Sequence, residues 1–385
     1  MNIDASTPAL AGVMQNPPKQ KNIEIQILRG IAIIFVLLHH YKIVAPNLPL
    51  NWYGYVEGMW SGVDLFFCIS GYVISKSVIN KFSTSNNKLF WNNVLAFWVK
   101  RAYRILPSAW LWILITMINV LYLGWGNNLF ISQNLGDSLS AIFQVANFHF
   151  YQCTYDQKSQ CGIMSIYWSL SLEEQFYLIF PLLFYFFRNR IISVILFALV
   201  IQIFMPRAQW DGLSSFIRTD AILLGVLLSF FEKNNIYNAI NIIKITPIKL
   251  LTPLLFIGLA LVPALKIIPF YMGLTALICV FLVWLASYNI GLITNNKFLT
   301  KLLAWVGERS FSIYLIHIVT FSVVRLFFEN LHLVNINTNV LLQIFQFLIG
   351  ISITFFIAQL NYIYIEKPWI AKGHVLANNI ENSPA

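Results

Sequence analysis

The chain has 385 residues, 58% of them hydrophobic, 16% aromatic and only 10% charged, against about 25% charged in a soluble domain. This composition, with a mean hydropathy of +0.69, excludes an ordinary soluble enzyme and points to an all-α polytopic membrane helix bundle. The net charge of +10 is no sign of a nucleic-acid partner, because Lys and Arg in a membrane protein chiefly report topology.

Residues 1–22 hold only short apolar runs and a late lysine pair, so no signal-peptide core is expected there; they read as a disordered cytoplasmic tail. From residue 23 onward, apolar segments near the length of about 20 residues needed to cross a bilayer predict about ten spans. They cover 23–43, 55–79, 105–123, 166–187, 191–206, 216–231, 250–265, 270–288, 306–328 and 340–363. The membrane domain is bounded at 23–370, and 371–385 reads as a second cytoplasmic tail. Of the 25 Lys and Arg, 17 fall on one side, six on the other, and Arg29 and Arg309 in between. The positive-inside rule then places both termini in the cytoplasm.

The first span, "LRGIAIIFVLLHHYKIV", carries Arg29 and His40. Eleven positions make three helical turns, so the two side chains share a face about 16 Å apart, while His39 points about 100° away. Ionisable groups at this depth are costly and face the bundle interior or a wet cleft. The alternative is that Arg29 snorkels to the inner interface and His40 makes polar contacts at the outer one. The second span, "SGVDLFFCISGYVIS", carries Asp64, a candidate by its depth unless it merely bonds serine and backbone. Gly62 and Gly71 there allow close helix packing. The loop expected before the third span, "FWVKRAYRILP", places Arg101 and Arg104 on one face, either as topology anchors or as a phosphate clamp.

Cys153 and Cys161 flank a polar loop on the outer side and read either as a disulfide or as two free thiols; Cys68 and Cys279 read as inert packing. The fourth span opens with Glu173 and Glu174, which point about 100° apart, so that one braces and the other faces a cleft. Arg218 and Asp220 read as a local charge pair at the outer interface. Tyr314 and His317 share a face of the ninth span, and Glu366 and Lys367 read as interfacial. No His/Cys cluster has metal-ligand spacing, so no metal is expected.

Together these segments resemble the acyltransferase-3 family of integral membrane O-acyltransferases. The carriers are Arg29 with His40, "SGVDLFFCISGYVIS", "KRAYRILP", "WSLSLEEQFYLIFPLL", "RTDAILLG", and "SFSIYLIH" followed by "EKP". They stand in family order over residues 23–370, in the standalone form without a fused hydrolase-like domain; Cys68 stands where many relatives have an aliphatic residue. The resemblance implies transfer of an acyl group, usually acetyl, from cytoplasmic acetyl-CoA to a hydroxyl of a carbohydrate acceptor. Surface polysaccharide, lipopolysaccharide and lipid-linked glycan are typical acceptors, and the bacterial inner membrane is the implied location. In that reading Arg29, Arg101 and Arg104 hold the CoA phosphates, and His40 is the general base. Asp64, Glu173 or Glu174 sets its tautomer, and Tyr314 or His317 donates to the thioester oxygen. Direct transfer is favoured over an acyl-enzyme. The rival reading, a secondary transporter or glycan exporter, calls for internal repeats or broken helices in matching halves, and neither is visible. The acceptor, the position acylated and the oligomeric state are left open.

Overall fold

The computed structural model of the chain describes residues 21–383 apart from 51–53, 55, 85, 123–127, 156–160, 208–211, 234–236, 238–247 and 332–338. Most of the expected N-terminal tail and three lysines of the topology argument, Lys19, Lys158 and Lys244, therefore lie outside the described residues.

Among the described residues all regular structure is helical. The helices are α1 (Ile23–His39), α2 (Ser61–Phe82), α3 (Asn87–Tyr122), α4 (Asn128–Ile142), α5 (Ala146–Tyr155), α6 (Tyr167–Phe187) and α7 (Ile191–Phe204). They continue with α8 (Asp220–Phe231), α9 (Ile248–Leu265), α10 (Tyr271–Ser287), α11 (Lys297–Glu308), α12 (Ser310–Asn330), α13 (Val340–Asn361) and α14 (Lys367–Glu381). Five stretches, containing α2, α3, α6, α12 and α13, are long and apolar enough to cross a membrane, and α7, α8, α9 and α10 are shorter apolar helices. Large hydrophobic side chains such as Leu114, Phe197 and Phe356 stand exposed on the outside of the bundle, as expected of surfaces that meet lipid rather than water.

Helix α2 is the hub, packed against α1, α8 and α10. Its contact with α8 depends on two glycines used reciprocally. A Cβ at Gly71 would run into the carbonyl of Ile222, and one at Gly225 into the carbonyl of Cys68. Gly62 meets the Ala32 carbonyl of α1 in the same way. Without a hydrophobic drive inside lipid, such close backbone approach is a main source of helix association. The start of α1 is fixed by polar groups: Asn22 accepts from the Ile25 N–H as N-cap, and buried Glu24 accepts from Ile290 N at 3.0 Å and Ile293 N at 2.6 Å.

Four expectations need correction. The loop drawn before residue 105 is helix, because α3 runs unbroken through Pro107. A proline inside a helix removes one hydrogen bond, but α3 packs along α14 and also meets α12. The expected span 306–328 is divided between α11 and α12 at Arg309. Residues 371–381, read as tail, belong to α14, which lies along α3 and is tied by Glu381 to Lys81 (2.6 Å) and Lys100 (2.9 Å). Helices α4 and α5 were not foreseen, since "SQNLGDSLSAI" is too polar to read as a span. They are held by Asp137, which accepts from Gly162 N (3.3 Å), Met164 N (3.1 Å) and His149 Nε2 (2.9 Å).

Candidate active site

Two cavities follow α1 from end to end. The first, of about 470 Å³, opens beside Ile25, Gln26 and Arg29; the second, of about 210 Å³, lies beside Val36, His39 and His40. Val63 and Tyr314 line both, so the cavities meet at that pair. Arg29 thus lines one and His40 the other of two adjacent cavities that share a wall.

The first cavity collects Arg29, Arg101, Arg104, Lys21 and Lys367 against Glu173, Glu308 and Glu366. Lys21 is paired with Glu308 at 2.8 Å. Glu173 accepts from the hydroxyls of Ser70 and Tyr177, and the Arg101 guanidinium lies 5.3 Å from the Tyr177 ring and 5.7 Å from the Phe97 ring. The two adjacent glutamates differ in setting: Glu173 faces the cavity, whereas Glu174 does not line it and its Oε1 is buried without a hydrogen-bond partner. Glu366 is not interfacial. It is 3% exposed and accepts from Ser312 Oγ at 2.8 Å. A π-helical turn, Tyr362–Glu366, links α13 to α14 and delivers it to the cavity; such turns are frequent at functional sites.

His40 ends α1 rather than continuing it. Its backbone N–H bonds Val36 O at 3.1 Å, and the chain then enters a one-turn helix, Tyr41–Val44. The ring Nδ1 lies 2.9 Å from Val36 O and 3.3 Å from His317 Nε2, while His317 Nδ1 lies 2.7 Å from Tyr314 O. A carbonyl oxygen only accepts, so both Nδ1 atoms carry the proton and His40 Nδ1–H is shared between Val36 O and His317 Nε2. His40 Nε2 is left with a free lone pair. The group at the far nitrogen of His40 is therefore His317, not a carboxylate.

Asp64 was expected near His40 and is instead bound to Arg218, with Oδ1 2.9 Å from Nε. Arg218 does not pair with Asp220, which takes Arg207 Nη2 at 2.5 Å. Arg218 is buried, and its guanidinium lies 4.7 Å from the Trp60 ring and 4.8 Å from the Trp168 ring. It lines the second cavity with His39 and His40. The expectation that His39 points away from the site is also corrected: its ring lines the same cavity, 5.0 Å from the His40 ring, and its Nδ1 is buried without a hydrogen-bond partner. The bond from His40 N to Val36 O keeps the two residues in the helical step, and side chains about 100° apart can still wall one cavity. Tyr314, on the shared wall, donates its hydroxyl to Ile166 O (3.0 Å) beside Ser169 Oγ (2.7 Å). His317 does not line either cavity.

Cys153 and Cys161 form a disulfide, and Cys161 and Thr154 line the second cavity. Arg218, Trp60, Trp168 and the bridge were missed as parts of a site. The signals for Arg218 were its charge at the edge of an apolar run, shared by every interfacial arginine, and its place in "RTDAILLG", to which no role was attached. Among the described residues no cluster of His, Cys, Asp or Glu is arranged to hold a metal.

The profile of the acyltransferase domain family matches residues 22–361. O-acetyltransferase OatA of Staphylococcus aureus (strain NCTC 8325 / PS 47) is 27% identical over 374 residues, covering 90% of this chain and 57% of that protein. OatA of strain MRSA252 matches to the same extent, so the chain spans 57% of the length of these relatives. No solved structure matches the chain.

Proposed function

As the chain belongs to the acyltransferase-3 family, we propose that it transfers an acetyl group from cytoplasmic acetyl-CoA to a hydroxyl of a carbohydrate acceptor, such as a surface polysaccharide or a lipid-linked glycan. The observation that carries this reading is the meeting, at Val63 and Tyr314, of an arginine-rich cavity with one bearing an imidazole whose outer nitrogen is free. The relatives named O-acetyltransferase support acetyl as the group transferred.

The first cavity, about 470 Å³, lies within the range of pockets that enclose a ligand of moderate size and suits the acyl-bearing arm of CoA. Arg29, Arg101 and Arg104 supply bidentate donors for its phosphates. The Lys/Arg asymmetry of the sequence supports a cytoplasmic mouth for this cavity and cytoplasmic termini; the bacterial inner (plasma) membrane is the setting the family resemblance implies. The thioester reaches past Tyr314 toward the second cavity, where the acceptor hydroxyl enters from the outer side.

His40 Nε2 takes the hydroxyl proton as the acceptor oxygen attacks the carbonyl carbon. The C–S bond then breaks, the acyl–oxygen bond is complete, and the CoA sulfur leaves with the proton returned by His40. His317 Nε2 holds His40 Nδ1–H throughout and steadies the imidazolium that forms between the two steps, the positioning role a carboxylate has in the hydrolase triad. Glu173 braces Tyr177 under Arg101, and Asp64 acts on Arg218; neither is required as a base.

The test is acetyl transfer by the protein in lipid nanodiscs given acetyl-CoA and a bacterial glycolipid extract. Acceptor-dependent release of CoA thiol, with a matching acetyl mass increment on the glycan, is expected. Passage of glycan across a vesicle membrane with no mass change and no thiol release favours an exporter instead.

A further inference from the structure

Two buried ion pairs lie between α2, α8 and their neighbours, Arg207–Asp220 and Arg218–Asp64. Of the four charged groups Arg218 alone lines either of the two cavities described above, and it lines the one that holds His40. Stability does not account for this placement, because a buried ion pair is often no better than well-packed apolar residues of the same volume.

The guanidinium is held from several directions, with two of its five N–H groups on protein acceptors. The Trp60 and Trp168 rings lie 4.7 Å and 4.8 Å from it. Asp64 takes Nε at 2.9 Å, and the Ser215 carbonyl takes Nη1 at 3.3 Å. Asp64 balances the charge, so the site is not built to hold a resting anion such as a phosphate. It suits negative charge that appears only during a reaction, the condition under which a preorganised donor accelerates a step.

The other donors expected for that role are committed elsewhere. His317 uses one nitrogen on Tyr314 O and the other on His40, and the Tyr314 hydroxyl hydrogen is directed to Ile166 O. We propose that Arg218 is a further catalytic residue, donating to the carbonyl oxygen of the acyl thioester as the acceptor hydroxyl attacks. In this step the new C–O bond forms and the carbonyl π pair moves onto the oxygen beside Arg218. His40 holds the acceptor's proton. The pair then returns as the C–S bond breaks, and the CoA sulfur leaves with that proton. Asp64 is the positioning residue that aims the guanidinium. The inference rests on the acyl-transfer reading above.

The test compares wild type with Arg218→Lys and with the double variant Asp64→Asn/Arg218→Gln, which leaves no orphaned charge. Turnover and acetyl-CoA binding are measured on folded protein in nanodiscs. The expected result is a fall in kcat of about 10²–10³-fold, the usual loss on removing one such donor, with acetyl-CoA affinity within about twofold of wild type. Folded variants with wild-type kcat, or with a loss confined to acceptor KM, overturn the proposal. A second measurement, independent of variant folding, is the infrared carbonyl stretch of the ketone analogue of acetyl-CoA bound to wild type. A shift to lower frequency than in water is expected, and no shift overturns the proposal. Wild-type protein that releases no thiol overturns the acyl-transfer reading itself, whereas active wild type with indifferent variants overturns only the role of Arg218.

Discussion

His317 Nε2 lies 3.3 Å from Nδ1 of His40, across the contact between α12 and the end of α1. With His317 Nδ1 donating to the Tyr314 carbonyl at 2.7 Å, one chain of hydrogen bonds fixes both tautomers and leaves His40 Nε2 as the open base. His40→Ala should therefore lower acetyl transfer by about 10²–10⁴-fold while acetyl-CoA binding persists. His317→Ala should lower kcat with little change in the KM for acetyl-CoA, and His317→Gln should restore part of it, since the amide oxygen can accept from His40. Equal loss of binding and turnover in both His317 variants would indicate a role in folding alone.

The arginine cavity gives a separable prediction. Arg29→Ala, Arg101→Ala and Arg104→Ala should each weaken acetyl-CoA binding by about 1.5–3 kcal/mol, the value of a charge-assisted hydrogen bond, or roughly ten- to a hundredfold. Lysine should recover only part, because the bidentate fork is lost. Arg101→Lys should recover least, since the guanidinium also stacks on Phe97 and Tyr177. Titration with acetyl-CoA, read by intrinsic tryptophan fluorescence, checks this; unchanged affinity in all three alanine variants would reduce them to topology anchors.

The disulfide should matter to one substrate only. Cys161 and Thr154 wall the cavity of His40, and neither lines the arginine cavity. Cys153→Ser/Cys161→Ser is expected to raise the acceptor KM and leave acetyl-CoA binding unchanged. In unreduced wild type, maleimide should label neither Cys153 nor Cys161, which mass spectrometry of peptides resolves.

At the α2–α8 contact, Gly225→Ala should destabilise the protein by about 1–3 kcal/mol, the range for overpacking, because the new methyl meets a backbone carbonyl that cannot yield. A lowered midpoint of thermal unfolding in detergent is the expected reading. Activity should fall with it, since α2 carries Asp64 and the wall residue Val63.

Beyond the last span, Glu381 on α14 sits between Lys81 and Lys100. Burial opposes its ionisation, but the hydrogen bonds and charges of the two lysines outweigh that, holding its carboxyl below the usual carboxylate range. A depressed native pKa stabilises the docked helix above the unfolded pKa of about 4.3, and this contribution is lost as pH falls through the native value. Glu381→Gln should thus speed amide hydrogen exchange in 367–381 at neutral pH, and the difference from wild type should vanish under acid conditions.

Much of this was legible in the sequence because it depends on distances along the chain. Composition alone sets the membrane class, since too few charged residues are present to clothe a soluble surface. The eleven-residue step from Arg29 to His40 puts the two on one side of α1, each against one of two adjoining cavities, because helical rise and twist are fixed by the backbone. The close spacing of Cys153 and Cys161 left a bridge within easy reach. What only the tertiary structure decided is which charge faces which. Asp64 and Arg218 are separated by 154 positions and His40 and His317 by 277, so no periodicity relates them. Asp220, the nearest carboxylate in sequence to Arg218, goes to Arg207 instead. The same holds for the faces of Glu173, Glu174 and Glu366. A carboxylate at the edge of an apolar run satisfies the same local pattern whether it meets water, a serine or a cavity, and only the packing of other helices around it selects among these.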